Sequence, residues 1–178
     1  ATWGLQTAAG RAPAAAEMLA RYGEETWFRL GDRDLATHVV RTMRLRDGER
    51  LTSVARHLQR GLGLGPTILP MSDEPVRTEV RTDEGWLEFQ DYFVRRHQEP
   101  TVRDVAFRGV ADARVTDEVV DAFARAEAII VAPSNPIVSI GPIVAVPGLL
   151  DAIHAARGRG VPVTAVSGIV GGRALKGP

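Results

Sequence analysis

The stretch Ala128-Ile129-Ile130-Val131-Ala132, followed by Pro133-Ser134-Asn135-Pro136, decides the fold. Five consecutive apolar residues before a proline-containing loop are typical of a short strand buried on both faces of a parallel sheet. Residues 149–156 then have helical spacing, and the apolar run at 161–166 predicts a second buried strand. Parallel strands joined through a helix place their carboxyl ends at one edge, where α/β proteins bind ligands. We therefore predict an α/β fold with a parallel sheet and a site at that edge.

The rest of the chain predicts further helices and strands. Helical composition or spacing marks residues 12–22 and 35–45, and Thr52 or Ser53 is the expected N-cap of a third helix. Thr116, which precedes two acidic residues, predicts the start of a fourth, because a hydroxyl caps free amides and negative charge suits that end of a helix. Strand-like composition marks residues 26–30 and 67–71.

An antiparallel segment is predicted in the middle of the chain. Val76, Thr78 and Val80 alternate with charged residues, and the turn at 82–85 leads to a return strand at 86–89. A short helix is expected at 89–96, since three aromatic residues there share one helical face. We therefore expect a single α/β domain over residues 1–178, with an antiparallel insertion at residues 67–110.

Composition and charge exclude several classes of protein. The 178 residues are 44% hydrophobic and 25% charged, as in an ordinary soluble domain. The 22 basic and 22 acidic residues give no broad attraction to nucleic acid or to membranes, and the absence of cysteine excludes disulfides and thiolate chemistry. No apolar run approaches the ~20 residues that span a bilayer. We expect a cytoplasmic protein, truncated at both ends because it starts without methionine and stops in a glycine-rich stretch.

The loop after the first apolar strand is the first candidate site. Ser134, Asn135 and Ser139 offer short polar side chains for phosphate oxygens, and Gly141 permits a close approach. A helix that starts just beyond the loop would add free N–H groups and a positive dipole. The alternative is a strand-to-helix turn in which serine and asparagine act as local caps.

A second candidate lies near the predicted helix at 35–45. Asp34, His38 and Arg41 fall on one line, and Asp32 with Arg33 precedes them. Carboxylates and an imidazole in this arrangement suit a polar ligand, a metal or a proton transfer. Equally, Asp34 is a candidate N-cap, Arg33 a candidate ion-pair partner of Asp32, and His38 a candidate core residue.

The third candidate is the glycine-rich segment after the second strand. Gly171 and Gly172 lie there beside the two cations Arg173 and Lys176, a combination that suits phosphate binding through backbone amides. This segment is expected to adjoin the loop that contains Ser134. A plain connecting loop is the alternative.

Several of these strings resemble one family, the 2-phospho-L-lactate transferases that build the deazaflavin coenzyme F-420. The match runs in order over essentially the whole chain, and its most specific part is the stretch from Ser134 to Ile143, within the matching string Ala132 to Gly148. The other matching strings are Trp27 to His38, Leu69 to Val76, Thr82 to Gly85, Tyr92 to Arg96 and Ile169 to Pro178.

The resemblance implies a Rossmann-like enzyme with helices on both faces of its sheet. It would join a guanosine-diphosphate-activated lactate or enolpyruvate to the deazaflavin FO and release GMP, with Mg²⁺ as the expected cofactor. By analogy, Ser134, Asn135, Ser139, Gly141, Gly171 and Gly172 contact the donor, while Asp32, Arg33, Asp34 and His38 shape the deazaflavin or metal side, the acidic residues and His38 acting in catalysis. The family's N-terminal glycine-rich βα turn and its Asp-Asp segment are absent from this sequence, so we expect the chain alone to be inactive.

Two other functions remain open from the sequence. One is a nucleotide-sugar-binding or NAD-binding regulatory protein of the gluconeogenesis-factor group, which has a similar fold and a comparable loop. The other is a noncatalytic α/β binding module. Neither the choice between lactyl and enolpyruvyl donors nor the oligomeric state, for which a homodimer is compatible with the family, follows from the residues.

Overall fold

The computed structural model describes residues 14–28, 30–171 and 173–174. The chain divides into two compact units, Ala1–Gly65 and Pro66–Pro178, and each is described by itself. The first contains the helices α1 (Ala14–Arg21), α2 (Asp32–Arg46) and α3 (Leu51–Gly61). The second contains β1 (Arg77–Thr82), β2 (Gly85–Glu88), β3 (Asp104–Arg108), α4 (Asp117–Arg125), β4 (Ile129–Val131), α5 (Gly141–Val144), α6 (Leu149–Gly158), β5 (Val163–Ala165), β6 (Ile169–Val170) and β7 (Arg173–Ala174). Two π-helical turns, Asp91–Arg95 and Pro136–Ile140, complete it.

The first unit confirms its three predicted helices. Helix α3 nevertheless begins one residue before Thr52, with Arg50 as N-cap, so the predicted cap at Thr52 or Ser53 is wrong. The strand predicted at 26–30 is also wrong, because the described residues of that stretch form bends and coil. A strand needs a partner for its backbone hydrogen bonds, and the described part of this unit supplies only helices.

The second unit opens with a three-stranded antiparallel sheet in the order β2-β1-β3. The predicted hairpin is confirmed, with Val80 opposite Leu87 and Thr82 opposite Gly85. Strand β3, which the sequence did not predict, pairs with the other edge of β1. The strand predicted at 67–71 is wrong. That stretch is irregular, and Ile68 is 55% exposed.

Strands β4 and β5 form the predicted parallel pair, with Ile129 opposite Val163. The predicted burial on both faces is wrong for β4, because Ile130 is 71% exposed while Ile129 is buried. Burial of both faces requires a layer on each side, and the described residues cover only the face that carries Ile129. The parallel pair and the helix between its strands confirm the α/β class of the fold.

A small core supports this unit. It comprises buried Ala113, Val119, Val146 and Leu149, with Phe123 and other partly buried side chains packed against it. Helix α4 starts where predicted, because the Thr116 hydroxyl accepts a hydrogen bond from an amide of its first turn. No single described helix is long and apolar enough to cross a bilayer. One pair bent by 81°, Pro136–Val144 with Leu149–Gly158, meets a length and composition test only.

Candidate functional site

The loop after β4 folds around Asn135. Its Oδ1 accepts hydrogen bonds from the Ile137 amide at 2.9 Å and from the Val138 amide at 3.1 Å. Asn135 therefore caps the π-helical turn Pro136–Ile140, and Pro136 at the first position of that turn has no N–H to satisfy. The local-cap alternative describes the observed role of this side-chain oxygen.

The remaining amides of the turn are also used internally. The Ser139 and Ile140 amides donate to the Asn135 carbonyl at 3.2 and 3.1 Å, and the Gly141 amide donates to the Pro136 carbonyl. The backbone N–H groups of the turn itself are therefore not available to a ligand, and the expectation of free N–H groups at the helix beyond the loop stays a prediction. The loop also contains the exposed Ser134 hydroxyl and the half-buried Ser139 hydroxyl.

The segment after β5 meets this loop, as predicted. An ideal Cβ on Gly168 would lie 3.1 Å from the Ser134 carbonyl oxygen and 3.4 Å from its amide nitrogen. A side chain here would require the two backbones to move apart by a few tenths of an ångström, so glycine suits this close approach. The carboxyl ends of β4 and β5 therefore bring Ser134 and Gly168 together, and the sequence had not singled out Gly168.

Gly171 lies in the turn between β6 and β7 and has a φ of +60°. A two-residue hairpin turn favours glycine for this reason, so the chain reversal accounts for Gly171. Gly172, the other predicted residue of this segment, lies outside the described residues, as does Lys176. Their predicted contacts with the donor stay predictions.

Gly141 packs closely against Phe107 and Pro136. An ideal Cβ at this position would lie 2.9 Å from Phe107 Cζ, on strand β3, and 3.3 Å from the Pro136 carbonyl oxygen. The predicted close approach is therefore made by an aromatic ring of the same unit. No sequence signal joins these two residues, which are 34 positions apart.

The first unit contains the other predicted residues. Asp32 and Arg33 are exposed at the start of α2, and the helix is capped by Gly31, so Asp34 is not its N-cap. The Asp34 carboxylate instead folds back toward Gly31, where an ideal Cβ would lie 3.3 Å from Oδ2. His38 Nδ1 and Arg41 Nη2 are 2.7 Å apart, which confirms that these two share one stripe of the helix.

These residues do not fit a metal site by themselves. Within the described ranges, no group of three or more His, Asp or Glu side chains converges closely enough to hold a metal ion. Mg²⁺ favours carboxylate oxygens in octahedral geometry, and Asp32 and Asp34 stand without a third described ligand. The structure therefore assigns no metal to this part of the chain.

A separate cleft of about 510 Å³ lies beside the π-helical turn Asp91–Arg95. Its lining is strongly charged and consists of Glu84, Arg95, Arg96, Glu99 and Pro100.

The backbone that follows the π-helical turn Asp91–Arg95 is unusual, because His97 and Gln98 have left-handed φ values of +51° and +64°. The carbonyl of buried Tyr92 accepts a 3.0 Å hydrogen bond from the Gln98 amide, and burial raises the pKa of the Tyr92 hydroxyl.

Comparison with known proteins decides the family. The model of the family described as 2-phospho-L-lactate transferase CofD matches residues 6–175. This chain belongs to that family. The resemblance drawn from the motifs around residues 134–141 is thereby confirmed.

Relatives in the family have two different names. The chain is 42% identical to a 2-phospho-L-lactate transferase of Methanosarcina mazei over 162 residues, which cover 91% of this chain and 52% of the relative. It is 42% identical to a phosphoenolpyruvate transferase of Mycobacterium avium over 170 residues, which cover 92% of this chain and 50% of that relative. The chain thus spans about half the length of the curated relatives it matches.

Solved structures support the fold. A UPF0052 family protein of Bacillus halodurans matches with a TM-score of 0.51 over 65% of this chain and 36% of its own. A second structure of a Bacillus halodurans protein matches with a TM-score of 0.56 over 78% of this chain and 41% of its own. At 16% and 15% sequence identity, these matches describe the fold alone.

Proposed function

We propose that the protein carrying this chain transfers a phospholactyl or phosphoenolpyruvyl group from a guanosine-diphosphate-activated donor to the deazaflavin FO. A ribityl hydroxyl oxygen of FO attacks the phosphorus that carries the three-carbon acid. The bond from that phosphorus to the bridging oxygen of the diphosphate breaks, GMP leaves, and the hydroxyl proton is lost. The observation that carries this proposal is the family match over residues 6–175.

The geometry supports a donor site at the edge formed by β4 and β5. The approach of Gly168 to Ser134 places two loop backbones together at the carboxyl ends of parallel strands, where α/β folds bind nucleotides. The hydroxyls of Ser134 and Ser139 and the Asn135 amide group are hydrogen-bond donors of the kind that phosphate oxygens accept. We assign these three side chains to the donor's diphosphate.

Binding and orientation are the steps that we assign to these residues. In phosphoryl transfer, positioning and charge stabilisation supply most of the acceleration. Magnesium would neutralise the diphosphate, but the described residues contain no cluster that fits it, so we assign it no step. Asp32, Asp34 and His38 stay proposed contacts of the acceptor side.

The experiment measures GMP release by the native gene product that carries this sequence. We expect release with FO and an activated donor, and none when FO is omitted. Nucleotide binding without FO-dependent GMP would contradict the transferase and favour a binding protein.

Parallel reactions with the lactyl and enolpyruvyl donors identify the acid. Relatives with both names are 42% identical to this chain, so identity does not decide between them. We expect one donor to support faster GMP release, and the mass of the product to contain the corresponding acid.

A further inference from the structure

Gly141 occupies a crowded position with an ordinary backbone. Its φ of −49° and ψ of −54° are right-handed helical values that any residue adopts. Conformation therefore does not require glycine here. Space favours it, because an ideal Cβ would lie 2.9 Å from Phe107 Cζ and 3.5 Å from its Cε2, so that either the ring or the loop would have to shift.

Phe107 reaches this position from the antiparallel sheet. It pairs with Thr78 of β1, and Val105, two residues earlier on β3, pairs with Val80. Side chains two residues apart share a face of a strand, so Phe107 lies on the face that carries fully buried Val80. The antiparallel sheet therefore contacts the loop that follows β4 through the Phe107 ring.

Gly141 is linked to the loop on both sides. Its amide donates to the Pro136 carbonyl, and its carbonyl accepts from the Ala145 amide at 3.0 Å. A displacement of Gly141 is therefore transmitted to the turn that contains Ser139, two residues earlier. Moving a Cβ from 2.9 Å to ordinary contact requires a relative shift of about 0.5 Å between Gly141 and the Phe107 ring, and a shift of this size in the loop is comparable to the tolerance of a binding site.

We propose that Phe107 is a positioning residue for the donor site. By packing on Gly141, it fixes the carboxyl end of the turn whose side chains Asn135 and Ser139 we assign to the diphosphate. This inference rests on the proposed function. It gives the antiparallel sheet a role in the site, because the ring of β3 sets the position of a loop that belongs to the parallel pair.

The test is a double-mutant cycle in the native gene product, with guanosine diphosphate as the probe. Gly141→Ala adds a methyl group against the ring, and we expect it to raise the Kd about tenfold, within the coupling range of residues in contact. Phe107→Leu, which removes ring atoms, is expected to raise the Kd as well. In the double variant, leucine makes room for alanine, and we expect the Kd to return to within about twofold of wild type.

A matched substitution separates positioning from stability. Phe123→Leu removes the same atoms from a partly buried ring that packs against the core of this unit. We expect it to lower the Tm while the Kd for guanosine diphosphate stays that of wild type. A Kd that rises equally in this variant would overturn the positioning role.

Hydrogen exchange of the backbone at residues 137–141 provides a measurement that needs no ligand. We expect Phe107→Leu to accelerate it, and this variant carries the test even where Gly141→Ala does not fold. Unchanged exchange together with an unchanged Kd would overturn the positioning role and leave the transferase standing. Failure of the wild-type protein to bind guanosine diphosphate would instead overturn the proposed function, and with it the donor-site role of Phe107 that rests on it.

Discussion

Replacement of Asn135 separates two roles of one side chain. Its Oδ1 accepts from two amides at 2.9 and 3.1 Å, and its amide group is assigned to the donor's diphosphate. Asn135→Ala removes both roles. Asn135→Asp keeps an acceptor for the cap but replaces the NH₂ group with a negatively charged oxygen.

The expected changes in stability follow from the cap. Loss of an N-cap costs about 0.5–2 kcal/mol. We therefore expect Asn135→Ala to cost about 1 kcal/mol, a fall in Tm of about 2–4 °C for a chain of this size. Asn135→Asp is expected to leave the Tm unchanged or to raise it, because negative charge is favourable at a helix start.

In affinity, both variants are expected to be weaker than wild type, and the two variants rank in the opposite order to their stabilities. A hydrogen bond to a charged group is worth about 1.5–3 kcal/mol, so Asn135→Ala should weaken guanosine diphosphate binding about 10- to 100-fold. Asn135→Asp should weaken it further, because its carboxylate repels the diphosphate. Thermal denaturation of the same three proteins measures their relative stabilities, and calorimetric titration measures their relative affinities for guanosine diphosphate. Wild-type affinity in Asn135→Asp would refute the assignment, and an unchanged Tm in Asn135→Ala would refute the cap.

Three further predictions concern the described fold. Thr116→Ala should lower the Tm by about 2–4 °C through loss of the cap of α4, whereas Thr116→Ser, which keeps the oxygen, should lower it less. Gly148→Ala should destabilise the chain by about 1–3 kcal/mol in urea unfolding because the glycine φ is +91°, while Gly158→Ala, whose methyl would meet nothing within 4 Å, should not. The hydrogen bond from Arg103 lowers the pKa of Asp83, so the stability that this pair contributes is present above the ordinary aspartate pKa. It is lost as the pH falls through the lowered pKa of Asp83. The Tm difference between wild type and Asp83→Asn should therefore disappear in acid.

Local chemistry was predictable from the sequence wherever one segment contains the whole interaction. Thr116 and its helix, and the hairpin of β1 and β2, depend on residues a few positions apart, and both are confirmed. The meeting of the two loops was also predictable, because parallel strands direct their carboxyl ends to one edge, and Gly168 indeed lies against Ser134.

Tertiary properties were not predictable in this way. The apolar character of Ile130 predicted burial, yet burial depends on which layers cover a strand, and this side chain is 71% exposed. Gly141 was chosen for ligand approach, but its neighbour Phe107 is distant in sequence and lies on a strand that the sequence did not predict. A glycine that is required for space has the same sequence signature as one that is required for a ligand.

The internal use of the loop amides changes how a diphosphate would be recognised here. A phosphate-binding loop of the glycine-rich kind presents its backbone N–H groups, so its side chains tolerate substitution. In this loop, the amides of residues 137–141 already donate within the turn. Under the proposed function, we assign recognition to side chains, namely the hydroxyls of Ser134 and Ser139 and the Asn135 amide group, which substitution removes. The affinity of this site should therefore be set by side chains, held in place by a cap on one side and by Phe107 on the other.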